Sequence, residues 1–160
     1  MKIVFNTSPL IFLSRLDFLN LFLNAPAHFY LPEAVREEIA AKRDETSAVI
    51  ENLIASQNLT VKSPRLSSLT NRLKERLGKG EAEAISLATE LQAEITLLDD
   101  LAARREAQRL GLKVKGTLAV IRKLHRERKI RIENLERLYQ QLREINFRVK
   151  RELFESIFED

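Results

Sequence analysis

Ile3-Val4-Phe5-Asn6-Thr7-Ser8-Pro9 is the stretch that decides the fold of this 160-residue chain. Lys2 to Phe5 is short, largely apolar and partly β-branched, the composition of a strand. Asn6-Thr7-Ser8-Pro9 stops that strand. Thr7 or Ser8 can cap a helix whose first position is Pro9, where a missing N–H is harmless, and Leu10 to Leu13 begin that helix. A strand running straight into a capped helix is how alternating α/β domains open.

The alternation continues along the chain. His28 to Leu31 reads as a second strand, ended by Pro32, and a helix follows from Glu33 with Val35, Ile39 and Ala40 on its buried face. Another helix from about Thr46 to Ser56 carries Val49, Ile50, Leu53 and Ile54. Leu59 to Lys62 is a third strand. Leu66, Leu69, Leu73 and Leu77 recur at helical spacing until Gly78-Lys79-Gly80 breaks the pattern. A strong helix then runs from Glu81 to Leu91 on Ala84, Ile85, Ala88 and Leu91. Glu94 to Leu98 is the best strand in the chain, and it leads directly into Asp99-Asp100. The next helix ends at Gly111. Val114 lies on a short strand closed by Gly116-Thr117, with Thr117 capping the helix that follows. Beyond Ile130 the chain is helical and charged, first through Leu135, Leu138 and Leu142. Val149 to Phe158 then places Leu153, Phe154, Ile157 and Phe158 on one side, a stripe that either packs on the domain or forms a dimer surface. Strands alternating with helices predict an α/β fold with a parallel sheet covered on both faces, in a single domain over residues 1–160.

Bulk composition narrows the chemistry. The chain has no cysteine, which excludes disulfides, zinc–thiolate sites and thiol catalysis. The longest apolar run, Ile3 to Ala27, is interrupted by Asn6, Arg15, Asp17, Asn20 and Asn24, so it lacks the unbroken span a bilayer requires. Lys2 is too thin a basic region for a signal peptide, and no compact apolar stretch with a cleavage site follows. The expected location is the cytoplasm, without a membrane partner. A net charge of +4 permits a nucleic-acid partner without demanding one. Basic residues concentrate between Arg104 and Arg151 and peak at Arg122-Lys123-Leu124-His125-Arg126-Glu127-Arg128-Lys129, a run that by itself reads as a solvated helix face.

Ligands of open parallel sheets gather at the carboxyl ends of the strands, where strand order switches. Asn6-Thr7-Ser8 follows the first strand, and Asp99 and Asp100 follow the strongest. Glu38 borders the buried face of its helix, and Glu81 opens a helix on the face of Ala84, Ile85 and Ala88. Each acid has an ordinary explanation: Glu81 suits a helix N-terminus, Asp99 or Asp100 can cap the next helix, and Glu38 can be a surface glutamate. Together they would make a ring of oxygens that repels itself unless a cation neutralises it, which points to Mg²⁺ or Mn²⁺.

These residues also resemble a known family. Ile3 to Ile11 looks like the opening of a PIN domain, where a hydrophobic strand ends in Asp-Thr-Ser or a close variant. Pro32-Glu33-Ala34-Val35-Arg36-Glu37-Glu38-Ile39 resembles the second PIN block, with Glu38 in its acidic position. Gly80-Glu81-Ala82-Glu83-Ala84-Ile85-Ser86-Leu87-Ala88 resembles the third, with Glu81 for the usual aspartate, and Leu97-Leu98-Asp99-Asp100 the fourth. With Arg109-Leu110-Gly111-Leu112 and Gly116-Thr117-Leu118, the order is similar to a VapC-like prokaryotic PIN subfamily. The likeness covers about Met1 to Arg128, leaving a helical extension over about 129–160.

The resemblance implies a three-layer α/β/α sandwich and metal-dependent hydrolysis of RNA. It implies Glu38, Glu81 and Asp99 as catalytic acids, with Asn6, Glu38, Glu81, Asp99 and Asp100 as the candidate ligands of Mg²⁺ or Mn²⁺. Asn6 stands where the family usually has aspartate, and either Asp99 or Asp100 can fill the fourth position. Glu83 is turned away from Glu81 by helical spacing, and His28 and His125 lie outside the motifs. RNA as substrate, a small antitoxin protein as partner and a homodimer follow from the same likeness. A non-catalytic PIN module that binds RNA or a protein is the alternative that Asn6 motivates. A DNA-binding helix led by Arg122 to Lys129 ranks last, because it leaves the acids at the strand ends unexplained.

Overall fold

The computed structural model describes residues 1–159. Among them five parallel strands, β1 (Lys2–Phe5), β2 (His28–Leu31), β3 (Thr60–Val61), β4 (Ile95–Leu97) and β5 (Val114–Lys115), form one sheet in the order β3-β2-β1-β4-β5. The helices are α1 (Thr7–Arg15), α2 (Leu19–Leu23), α3 (Glu33–Ala40), α4 (Glu45–Ala55), α5 (Ser67–Lys74), α6 (Lys79–Leu91), α7 (Leu101–Arg109), α8 (Thr117–Arg126), α9 (Leu135–Glu144) and α10 (Arg151–Phe158). The chain winds outward from β1 to β3, then returns past β1 to lay down β4 and β5. Strand order therefore switches between β1 and β4, and the crevice at their carboxyl ends is where such a sheet binds ligands.

Side-chain alternation along the strands divides the core into the two outer layers. Ile3 and Phe5 of β1 join Phe29, Leu31 and Leu97 beneath Phe22 of α2 and Leu118 and Ile121 of α8. Val4, between them, points to the other side, against Ala84, Leu87 and Ala88 of α6. The small residues on this face of α6 let the helix lie close on the sheet. Leu98 and Val114 extend that layer to Ala103 and Ala107 of α7. The expected α/β/α sandwich with a central parallel sheet is what forms.

Several details differ from the sequence expectation. The first helix starts at Thr7, so Pro9 is its third residue and not its first. The N–H that proline lacks is still one of the orphan donors of the first turn, so the helix loses nothing. Asp17, with φ +62°, ends α1, and a further short helix, α2, follows that apolar spacing did not separate from it. On α3 it is Ala34 that is buried beside Val35 and Ile39, while Ala40 is exposed. Gly78-Lys79-Gly80 does not merely interrupt a pattern: Gly78 precedes α6, and Lys79 and Gly80 are its first residues. Thr117 is the first residue of α8 and does not cap it; Gly116 occupies that position.

The C-terminal extension packs onto the domain. Leu138, Leu142, Phe147 and Phe154 all enter the main core. Phe147 meets Phe12 edge to face at 4.9 Å, and Tyr139 donates to the carbonyl of Val149 at 3.0 Å. Arg151 lies over the Tyr139 ring and pairs with Glu136. Of the terminal stripe, Phe154 is buried and Ile157 and Phe158 are half-buried, whereas Leu153 points outward at 55% exposure. No described helix is long and apolar enough to cross a membrane.

Candidate active site

The carboxyl end of β1 delivers Asn6 to the crevice. Its backbone N–H still belongs to the sheet, donating to the carbonyl of Leu97 on β4 at 3.0 Å. Its side chain is 5% exposed, and Oδ1 has no hydrogen-bond partner. Asn6 sits where a helix-capping residue would, yet the side chain makes no capping bond. An orphaned buried oxygen costs about 1–3 kcal/mol, so its retention calls for a reason outside the fold. Among the described residues Thr96 Oγ1 is the other such atom, and it belongs to the middle of β4.

Glu38 arrives from α3. Thr7 Oγ1 donates to Glu38 Oε2 at 2.7 Å, tying the carboxylate to the residue after Asn6. From the other side it lies against the backbone of Gly80, where an added Cβ would fall 2.3 Å from Oε1. Only glycine leaves room for the carboxylate in this position, which gives the first turn of α6 a part in the site.

Glu81 is the third residue of α6 and turns back to accept from the Gly78 N–H at 3.2 Å, half of a capping box, since glycine offers no side chain in return. It is half-buried. Burial holds its carboxyl above the ordinary range, the Gly78 bond opposes that, and the negative charges of Asp100 and Glu38 add to the rise. Glu81 thus feels the charge of both Glu38 and Asp100 across the crevice.

The two aspartates after β4 separate in role. Asp100 is exposed and caps α7, accepting from the Ala103 N–H at 3.0 Å. Asp99 turns to α8, accepting from the Thr117 N–H at 2.8 Å and the Thr117 hydroxyl at 2.7 Å. Burial raises its carboxyl, against the two Thr117 bonds and nearby Arg104. Gly116 is needed here too: a Cβ on it would come within 2.7 Å of Arg104 Nη1 and 2.9 Å of Asp99 Oδ1. Asp99 therefore joins the end of β4 to the start of α8. Glu83 also has a structural use, accepting from the Ala34 N–H at 3.3 Å at the start of α3.

Asn6, Thr7, Glu38 and Glu81 line one cleft of about 510 Å³. Arg15 and Lys42 bring positive charge to it, and Phe12, Ile145 and Asn146 are also among its lining. Arg15 pairs with Asp44 at 3.6 Å. Among the described residues, no three acidic or histidine side chains converge closely enough to hold a metal by themselves. Glu81 is folded back on Gly78 and Asp99 is engaged by Thr117. The donor set nevertheless suits a hard cation, because it is all oxygen and includes the unpartnered Asn6 Oδ1. Thr7, Arg15, Lys42, Ile145 and Asn146 were not singled out by sequence. Thr7 was visible as a cap and at the end of the first strand, without its link to Glu38, and the others reach the cleft through contacts that local spacing does not encode.

A sequence profile of the PIN domain family matches residues 2–160. In structure the chain is similar to a PilT N-terminus domain protein from the hyperthermophilic archaeon Sulfolobus solfataricus P2. That similarity has a TM-score of 0.49 and 17% identity, over 75% of this chain and 90% of that chain. No curated protein matches the chain in sequence.

Proposed function

This chain belongs to the PIN domain family, and on that premise we propose that it is a metal-dependent ribonuclease acting in the cleft between the carboxyl ends of β1 and β4. The observation that carries the reading is the buried, unpartnered Asn6 Oδ1 beside the carboxylates of Glu38 and Glu81 in one cleft. An oxygen without a donor suits a cation better than it suits an empty polar site.

Asn6, Glu38, Glu81 and Asp100 are the residues that would hold the ion, with Glu38 and Glu81 supplying the negative charge that lines the cleft. Mg²⁺ or Mn²⁺ bound there would make water a stronger nucleophile and neutralise charge growing on the phosphate oxygens. Asp99, also expected among the catalytic acids and ligands, takes a positioning role because both its oxygens are engaged by Thr117. Thr7 and Gly80 fix the Glu38 carboxylate. Arg15 and Lys42 line the same cleft and would neutralise phosphates flanking the scissile one. The reaction adds one water across a phosphodiester: a P–O bond forms to the water oxygen, the P–O bond to the leaving ribose oxygen breaks, and that oxygen takes a proton.

The test is cleavage of a mixed RNA panel with Mn²⁺, Mg²⁺ or EDTA, beside Glu81→Ala protein shown to be folded. Cutting that requires both metal and Glu81 supports the assignment. Cutting that persists in Glu81→Ala, or in EDTA, refutes it. The neutral Asn6 keeps a second reading in play, a non-catalytic module that binds RNA or a protein partner. Under it the folded protein cuts nothing, and it retains RNA in EDTA with a steep salt dependence.

The same proposal extends to a cytoplasmic toxin restrained by a small antitoxin protein, and to a homodimer that uses the exposed Leu153. Growth arrest on induction, relieved by Glu81→Ala, tests the toxin role. Light scattering of wild type against Leu153→Glu tests the dimer.

A further inference from the structure

The metal reading leaves one wall of the cleft without a task. That wall is Phe12 of α1 together with Ile145 and Asn146, the turn that leaves α9. The turn is firmly held. Asn146 donates its backbone N–H to Arg143 O at 3.0 Å, and Phe147 donates to Leu142 O at 2.9 Å. Phe147 is then buried against Phe12. Asn146 has φ +65°, a conformation that glycine and asparagine favour after a helix, and that alone explains a small polar residue here. Asn146 lines the cleft and is exposed, and its carboxamide has no hydrogen-bond partner among the described residues.

We propose that this wall is a nucleobase subsite: a base of a single-stranded substrate lies against Phe12 and Ile145, and the Asn146 carboxamide reads its edge. The inference rests on the nuclease reading of the same cleft and gives it a source of sequence preference. Apolar side chains offer a surface for a base, and a carboxamide presents a donor and an acceptor side by side, the complement of adenine's N6 and N7. Arg15 and Lys42 in the same cleft suit the adjoining phosphates. A volume of about 510 Å³ is that of a small-molecule pocket and too small for a duplex.

Asn146→Gly tests the proposal, because glycine keeps the left-handed backbone without strain while the carboxamide is removed. The first readout is amide NMR of the full chain in EDTA, titrated with each of the four nucleoside 5′-monophosphates. Adenosine monophosphate is expected to shift Phe12, Ile145 and Asn146 more than the pyrimidine nucleotides do, and Asn146→Gly to erase that difference. The second is the cleavage map on mixed RNA. Loss of the carboxamide should flatten the preference at one position by about 5- to 150-fold while Mn²⁺ affinity stays at the wild-type value. Equal response to all four nucleotides, or an unchanged cleavage map in Asn146→Gly, overturns the subsite. RNA that is never cut, with the nucleotide shifts intact, refutes the nuclease and leaves the subsite standing.

Discussion

Replacing Gly80 by alanine separates the site from the fold. An alanine Cβ at this position falls 2.3 Å from Glu38 Oε1, and an ordinary contact begins near 3.4 Å, so the carboxylate must retreat by about 1.1 Å. The obstructing atoms are the end of a flexible side chain, and α3 has no need to move. The retreat breaks the 2.7 Å bond from Thr7 Oγ1. A hydrogen bond to a charged group contributes about 1.5–3 kcal/mol, but Glu38 is exposed and water replaces most of it. Alanine also returns up to about 1 kcal/mol of helix propensity. The two effects nearly cancel, so thermal stability should stay within about 1 kcal/mol of wild type, a change of roughly 2–4 °C in melting temperature. Activity has no such compensation, since a misplacement near 1 Å in a reacting assembly costs about 10²-fold. The assay pairs Mn²⁺-dependent RNA cleavage with a thermal melt of the same preparation. Gly80→Ala protein that melts like wild type and cleaves at the wild-type rate would refute the placement of Glu38 in the site.

Asp99→Ala strands the N–H and hydroxyl of the fully buried Thr117 and should destabilise by about 1–3 kcal/mol for each donor. Asp99→Asn keeps the shape, removes a charge that burial disfavours and should lose far less; urea unfolding of the two variants gives the comparison. Hydrogen bonding to Arg151 holds Glu136 down at about 2 from an ordinary 4.5, so this link supports the docking of α10 fully above pH 4.5 and is lost as pH falls through about 2. Carboxyl NMR should find that midpoint, and because the pair is exposed, high salt should weaken the effect. Phe147→Ala opens the contact with Phe12 and should cost about 3–5 kcal/mol, measured by chemical denaturation.

Much of the architecture was legible because the strands and helices differ in period. Ile3 and Phe5 against Val4 is the alternation of a strand buried on both faces, and Ala84, Ile85 and Ala88 mark a helix face. Boundaries were less legible where backbone conformation decides them: Asp17 at φ +62° divides the run from Leu10 to Leu23 into α1 and α2 without any glycine or proline to announce it. Asn6 and Glu81 drew notice at a strand end and a helix start, and Glu38 at the border of a buried helix face; all three line one cleft. The division of labour between Asp99 and Asp100 was not readable, because it depends on Thr117, brought near by pairing of β4 with β5. The role of Gly80 was equally hidden, since its meaning lies in a carboxylate on another helix. Ile145 and Asn146 reach the cleft only through tertiary packing of the C-terminal extension.

The most direct test of the central claim, that the orphaned Asn6 oxygen faces a cation, is thermal unfolding of wild type, Asn6→Asp and Asn6→Ala with Mn²⁺ and with EDTA. A ligand at a hundred times its dissociation constant adds about 2.7 kcal/mol, well within reach of a melt. Without metal, Asn6→Asp should be the least stable, because it buries a charge beside Glu38 and Glu81. With Mn²⁺ it should gain the most, wild type less and Asn6→Ala least. Equal shifts in all three proteins, or none in any, would contradict a metal at Asn6.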